Sequence, residues 1–140
     1  MTLQEIFAGC TAKPLLAEEP MAKHTSFRIG GPADLMAMPQ SEQELQQLLL
    51  RAGEAKVPVT LIGNGSNLLV RDKGIRGLVI KLGNMLNDVA VDDCTLTFGS
   101  GVSLAAASRK AAELGLSGME FAVGIPRQHW RCCLYERRCL

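Results

Sequence analysis

The strongest constraint in this 140-residue sequence is the segment LIGNGSNLLV, Leu61 to Val70. The apolar, β-branched run Val57 to Ile62 reads as a buried strand. It empties without a linker into Gly63-Asn64-Gly65-Ser66-Asn67, and a second, strand-like apolar run follows at Leu68 to Val70. Glycines permit positive φ and close backbone approach. Successive backbone N–H groups in such a turn form a concave donor cluster suited to phosphate, and Ser66 and Asn67 add side-chain donors. The segment is thus either a phosphate or pyrophosphate cradle or a plain strand–loop–strand turn, and its residues alone leave both open. Two familiar cradles do not fit. No Lys-Ser/Thr follows at P-loop spacing, and the G-x-G lacks the third glycine and the following helix of a dinucleotide fingerprint.

The flanking pattern gives the fold class. Residues 1–24 form a leader with one short helix near Leu3 to Gly9. Phe27 and Ile29 alternate with polar neighbours and meet a turn at Gly30-Gly31-Pro32, and Leu35 to Met38 reads as a strand stopped by Pro39. Ser41 and Glu44 have capping-box spacing ahead of a Leu45, Leu48, Leu49 stripe that ends near Gly53. Gly77 to Leu82 reads as a strand, and Val89 to Val91 with Leu96 to Phe98 as a pair around Asp92-Asp93. Ser103 caps a helix with Leu104, Ala107, Ala111 and Leu114 on one face, ended by Gly115. Ser117 and Glu120 suggest one more capped turn before an irregular stretch, Ala122 to Pro126. Strands and helices in this order predict an α+β fold rather than a regular βαβ repeat.

Composition narrows the function. A net charge of +1 makes no demand for nucleic acid or an anionic membrane. Apolar runs are short and broken by glycine, so no membrane-spanning helix is expected, and the first 20 residues lack a secretory pattern. A cytoplasmic protein is the expectation. Five cysteines without even spacing argue against a disulfide framework. Taken singly, Gly30-Gly31 is a turn, Arg28 faces a phosphate or water, and His24 is a surface or packing residue rather than a ligand.

Three segments together carry a resemblance: KHTSFRIGGPAD (Lys23 to Asp34), LIGNGSNLLVRDKGIRGLVIKL (Leu61 to Leu82) and GLSGMEFAVGIP (Gly115 to Pro126). In this order and with these gaps they resemble the MurB family of UDP-N-acetylenolpyruvoylglucosamine reductases. The resemblance implies an incomplete FAD-binding domain of the PCMH (vanillyl-alcohol-oxidase-like) type. Residues 25–82 would be its first subdomain and 83–126 the start of the second. It implies that Ile62, Gly63, Asn64, Gly65, Ser66, Asn67 and Leu68 lie against the FAD pyrophosphate. Arg28, Gly30 and Gly31 would lie near the flavin, and Ala122, Gly124, Ile125 and Pro126 would begin a second flavin-contacting loop. The implied chemistry passes a hydride from NADPH to the flavin, then to a nucleotide-sugar enolpyruvyl ether in peptidoglycan synthesis. Another PCMH-type FAD oxidoreductase, or a non-catalytic short binding protein, are the alternatives.

The resemblance stops at Pro126. The last fourteen residues, RQHWRCCLYERRCL, hold the only Trp, the only Tyr, three of the five Cys and four Arg. Suitable codons for this stretch, read one base further on, give Gly-Ser-Ile-Gly-Gly-Ala-Ala-Cys-Met-Asn-Ala-Gly-Ala, the glycine-rich continuation usual in the family. A one-base frame shift after Pro126 is therefore expected, with residues 127–140 an aberrant tail. A zinc site built on His129, Cys132, Cys133 and Cys139 fits poorly, because adjacent cysteines do not make a C-x-x-C knuckle. The family's catalytic Arg, Ser and Glu would lie further on, so no catalytic residue is assigned. The expectation is no reductase activity from the chain as written, and weak FAD retention or none.

Overall fold

The computed structural model describes residues 2–83, 85–99 and 101–124. They fall into two compact units, Met1–Met85 and Leu86–Leu140. The first opens on helix α1 (Leu3–Ile6), capped by Thr2, whose hydroxyl accepts from the Glu5 N–H while the Glu5 carboxylate accepts from the Thr2 N–H. It continues through β1 (Leu16–Pro20), a 3-10 turn (Met21–His24), β2 (Pro32–Ala37), α2 (Glu42–Glu54), β3 (Val59–Ile62) and β4 (Ile75–Lys81).

These strands form one sheet in the order β1-β2-β4-β3. β1 runs antiparallel to β2, whereas β4 is parallel to both β2 and β3. The sequence reading left β1 out, because Leu-Ala-Glu-Glu-Pro has no run of β-branched residues. It is an edge strand, and its Pro20 sits at the last position, opposite Pro32. On β4 one extra residue enters between the Ala33–Ile75 and Leu35–Leu78 pairs. Asp34 holds this bulge in place: it accepts from the Gly77 N–H at 2.8 Å and pairs with Arg76 at 2.6 Å.

Helix α2 starts at Ser41, whose hydroxyl accepts from the Glu44 N–H at 3.3 Å. The capping box is only half made. The Glu44 carboxylate instead accepts from the Gln40 N–H at 2.8 Å and the Ala12 N–H at 3.2 Å, tying the N-terminal segment to the helix start. Gly53 lies inside the helix. The left-handed residue that ends it is Lys56, at φ 53°, with the Val57 N–H reaching back to the Ala52 carbonyl.

β3 and β4 are parallel neighbours, so the chain must cross from the end of one to the start of the other. Residues 63–74 make that crossing without a helix. Leu68 to Val70 is therefore not a strand, contrary to the sequence reading. Its alternation serves packing instead. Val70 is buried and Leu68 partly buried against Met21, Met36, Ile62 and Val79, while Leu69 is 66% exposed. One face of the sheet thus anchors the glycine-rich loop.

In the second unit β5 (Val89–Asp92) and β6 (Thr95–Phe98) form a hairpin. Helix α3 (Leu104–Glu113) is capped by Ser103, buries Leu104, Ala107 and Ala111, and ends at Gly115 with the Leu116 N–H bonded to the Ala111 carbonyl. A 3-10 turn follows at Glu120–Ala122, without the Ser117 cap expected from the sequence. Glu120 accepts from the Gly118 N–H instead. Mixed strands and helices of this kind are the α+β class.

Candidate phosphate-binding site

Two stretches far apart in sequence, 24–31 and 63–74, are closed against one another. The Ser26 N–H donates to the Gly65 carbonyl at 3.1 Å and the Gly31 N–H to the Arg71 carbonyl at 3.0 Å. The contact is close enough to require glycine. Gly65 has φ +66°, and a Cβ there would run into the His24 carbonyl; one on Gly31 would run into the Asp72 carbonyl. In the sequence reading the glycines made room for a ligand. In the structure Gly65 and Gly31 make room for the protein's own backbone, and so fix the shape of the loop.

Where the stretches meet lies a cavity of about 400 Å³, lined by Lys23, His24, Thr25, Ser26, Arg28, Asn64 and Lys81. Arg28 occupies the left-handed region at φ 54°, its N–H donating to the Thr25 carbonyl. Non-glycine residues enter that region only where their surroundings hold them. Thr25 adds to that hold, its hydroxyl donating to the Ile29 carbonyl at 3.3 Å. Lys81 is the last residue of β4 and pairs in register with Ile62, the last of β3. It therefore stands at the carboxyl ends of parallel strands, beside the loop's point of departure, the usual ligand edge of such sheets.

Three cations, two hydroxyls and an amide line this one cavity, a set of groups that could hold an anion. Glu19 is an acidic neighbour, bound to His24 at 3.1 Å and to Lys23 at 3.4 Å. Burial raises the Glu19 carboxyl, but hydrogen bonds from His24 and Lys23 outweigh it and hold the group below its ordinary value of 4.5. Among the described residues no His, Cys, Asp and Glu side chains gather as metal ligands, and no helix is long and apolar enough to cross a membrane.

Of the residues singled out in the sequence, Arg28 and Asn64 line the cavity. Ile62 is buried beneath the loop and Leu68 is half-buried against the core, so both are scaffold. Gly30, Gly31, Gly63 and Gly65 are backbone of the two stretches; Ser66 is half-buried and Asn67 exposed. Ala122, buried, and Gly124, exposed, belong to the second unit, while Ile125, Pro126 and the tail lie outside the described residues. Sequence reasoning missed Lys23, Thr25, Ser26 and Lys81 and set His24 aside. A signal existed for Lys81 in the charge that closes an otherwise apolar strand core, Leu78 to Ile80.

Residues 33–127 match the family described as FAD binding domain. The chain belongs to that family. Its relatives include UDP-N-acetylenolpyruvoylglucosamine reductases from Heliobacterium modesticaldum (51% identical over 79% of this chain and 35% of the relative) and Agathobacter rectalis (52%, over 80% and 39%). A third, from Syntrophomonas wolfei, is 46% identical over 87% of this chain and 41% of the relative. The solved structure of UDP-N-acetylenolpyruvylglucosamine reductase (MurB) from Thermus caldophilus superposes with a TM-score of 0.59 at 33% identity, over 83% of this chain and 39% of that one. The MurB resemblance carried by the three motifs thus holds. The chain spans 35–41% of the length of these relatives. The basic, hydroxyl-rich cavity suits the diphosphate of FAD, the cofactor for which the family is named.

Proposed function

We propose that the protein holds the pyrophosphate of FAD in this cavity, as the flavin side of a MurB-type reductase. The reaction is the NADPH-dependent reduction of UDP-N-acetylglucosamine enolpyruvate to UDP-N-acetylmuramate, in the cytoplasmic phase of peptidoglycan synthesis. The observation that carries this reading is the convergence of Lys23, Arg28, Lys81 and Asn64 on one cavity beside a clasped glycine loop. The cations offset the diphosphate charge, and Asn64 adds an uncharged donor from the loop. Bound FAD would supply hydride transfer; these residues would place and neutralise it. In this reading residues 25–82 are the first FAD-binding subdomain and 83–126 the start of the second.

Titration of the purified chain with FAD, followed by quenching of flavin fluorescence, tests the proposal. Saturable quenching that is competed by ADP-ribose and weakened in Arg28→Ala is expected, with an affinity too low for flavin to survive gel filtration. Quenching that ADP-ribose and Arg28→Ala leave unchanged would overturn it. No substrate-dependent NADPH oxidation is expected of this chain, since no residue in 25–124 is assigned a proton-donating or enolate-stabilising role.

A further inference from the structure

We infer that Glu19, His24 and Lys81 form a positioning chain that sets the Lys81 ammonium at the phosphate cavity, with His24 as the positioning residue at its centre. The inference rests on the phosphate reading of the cavity given above. Lys81 Nζ lies 3.1 Å from His24 Nδ1, and His24 Nε2 lies 3.1 Å from Glu19 Oε1. A lysine ammonium can only donate, so Nδ1 must accept. The ring is then neutral, with its one proton on Nε2, where the Glu19 carboxylate receives it. Chemistry at both ends therefore selects the same tautomer.

The placement is specific. The His24 and Glu19 side chains are only 12% and 15% exposed, whereas Lys23, which shares the Glu19 oxygen, is 65% exposed. The charged groups that face His24 are Glu19 from β1, Lys23 from its own turn and Lys81 from β4, with Arg28 on the cavity wall. Lys81 has four flexible bonds, and one fixed acceptor behind it leaves its other two N–H groups for an anion in the cavity. Without that acceptor the ammonium loses its fixed partner at the cavity edge, and anion affinity falls with it.

FAD serves as the probe, because its diphosphate is the anion that the cavity reading assigns to Lys81. Lys81→Met is expected to weaken FAD binding roughly ten- to a hundredfold, as loss of a charged hydrogen bond implies. His24→Leu should fall to the level of Lys81→Met, and the double variant should fall no further. His24→Gln keeps an acceptor and a donor at nearly the same separation. It should bind FAD several-fold more tightly than His24→Leu. Imidazole ¹⁵N NMR of the free protein should show Nδ1 unprotonated. If Lys81→Met binds FAD as the wild type does, the cavity reading fails, and the positioning chain with it. If Lys81→Met weakens binding but His24→Leu does not, or His24→Gln binds no better than His24→Leu, the chain alone is refuted. Thermal melts of each variant separate loss of fold from loss of binding.

Discussion

Replacing Gly65 by alanine tests the clasp between 24–31 and 63–74 directly. An L-residue in the left-handed region costs about 1–2 kcal/mol. The new methyl would occupy the place of the His24 carbonyl, so the stretches must part and the Ser26 to Gly65 hydrogen bond is lost. That bond adds about 1 kcal/mol, and the backbone shift about 1–3 kcal/mol. The smaller conformational freedom of unfolded alanine returns about 0.4–1 kcal/mol. The net cost is about 2–6 kcal/mol, a fall in Tm of roughly 10–40 °C for a unit of this size. Two controls sit in the same unit. Gly9 also has positive φ, but a Cβ there meets nothing within 4 Å, so Gly9→Ala should cost only about 1 kcal/mol. Gly53 lies inside α2 with open space around it, so Gly53→Ala should stabilise by about 0.5–1 kcal/mol. Urea denaturation of the three variants gives the order. If Gly65→Ala unfolds with Gly9→Ala, within about 0.5 kcal/mol, the clasp is not a stabilising contact and the reasoning fails.

Further outcomes follow from single contacts. Glu19 is held below its ordinary value of 4.5, so its share of stability is complete above that pH and is lost as pH falls through the lowered value; Glu19→Gln should flatten this acid limb in pH-dependent melts. Asp34→Ala leaves the Gly77 N–H of the bulge without its acceptor and should cost about 1–3 kcal/mol in urea, whereas Arg76→Ala, which removes a 64% exposed partner, should cost under about 1 kcal/mol. Lys56→Gly relieves the left-handed end of α2 and should stabilise by up to about 1 kcal/mol, seen as a higher urea midpoint at unchanged slope. Ser103→Ala removes the cap of α3 and should cost about 1 kcal/mol, read by hydrogen exchange at Ala106.

What the sequence disclosed and what it withheld divide along the range of the interactions. Ser41, Ser103 and Gly115 act within one helical turn of their own positions, and their helices were legible from spacing. β1 was not, because its strand character comes from pairing with β2 rather than from its own residues. Leu68 to Val70 misled for the same reason: alternation records which side chains point inward, and a crossover packed on a sheet face alternates as a strand does. The cavity shows the contrast most sharply. Asn64 and Arg28 belong to recognisable motifs, but Lys81 becomes a site residue only because β4 lies parallel to β3 and ends beside it. His24 in turn gains its role only from Glu19 and Lys81, neither of which its neighbours in sequence identify. A glycine, too, has a reason only in three dimensions. The motif marked Gly65 as important, but the residue that makes a side chain impossible there is His24, in the other motif. The two motifs are halves of one structure, so a change in either should be read by its effect on the other.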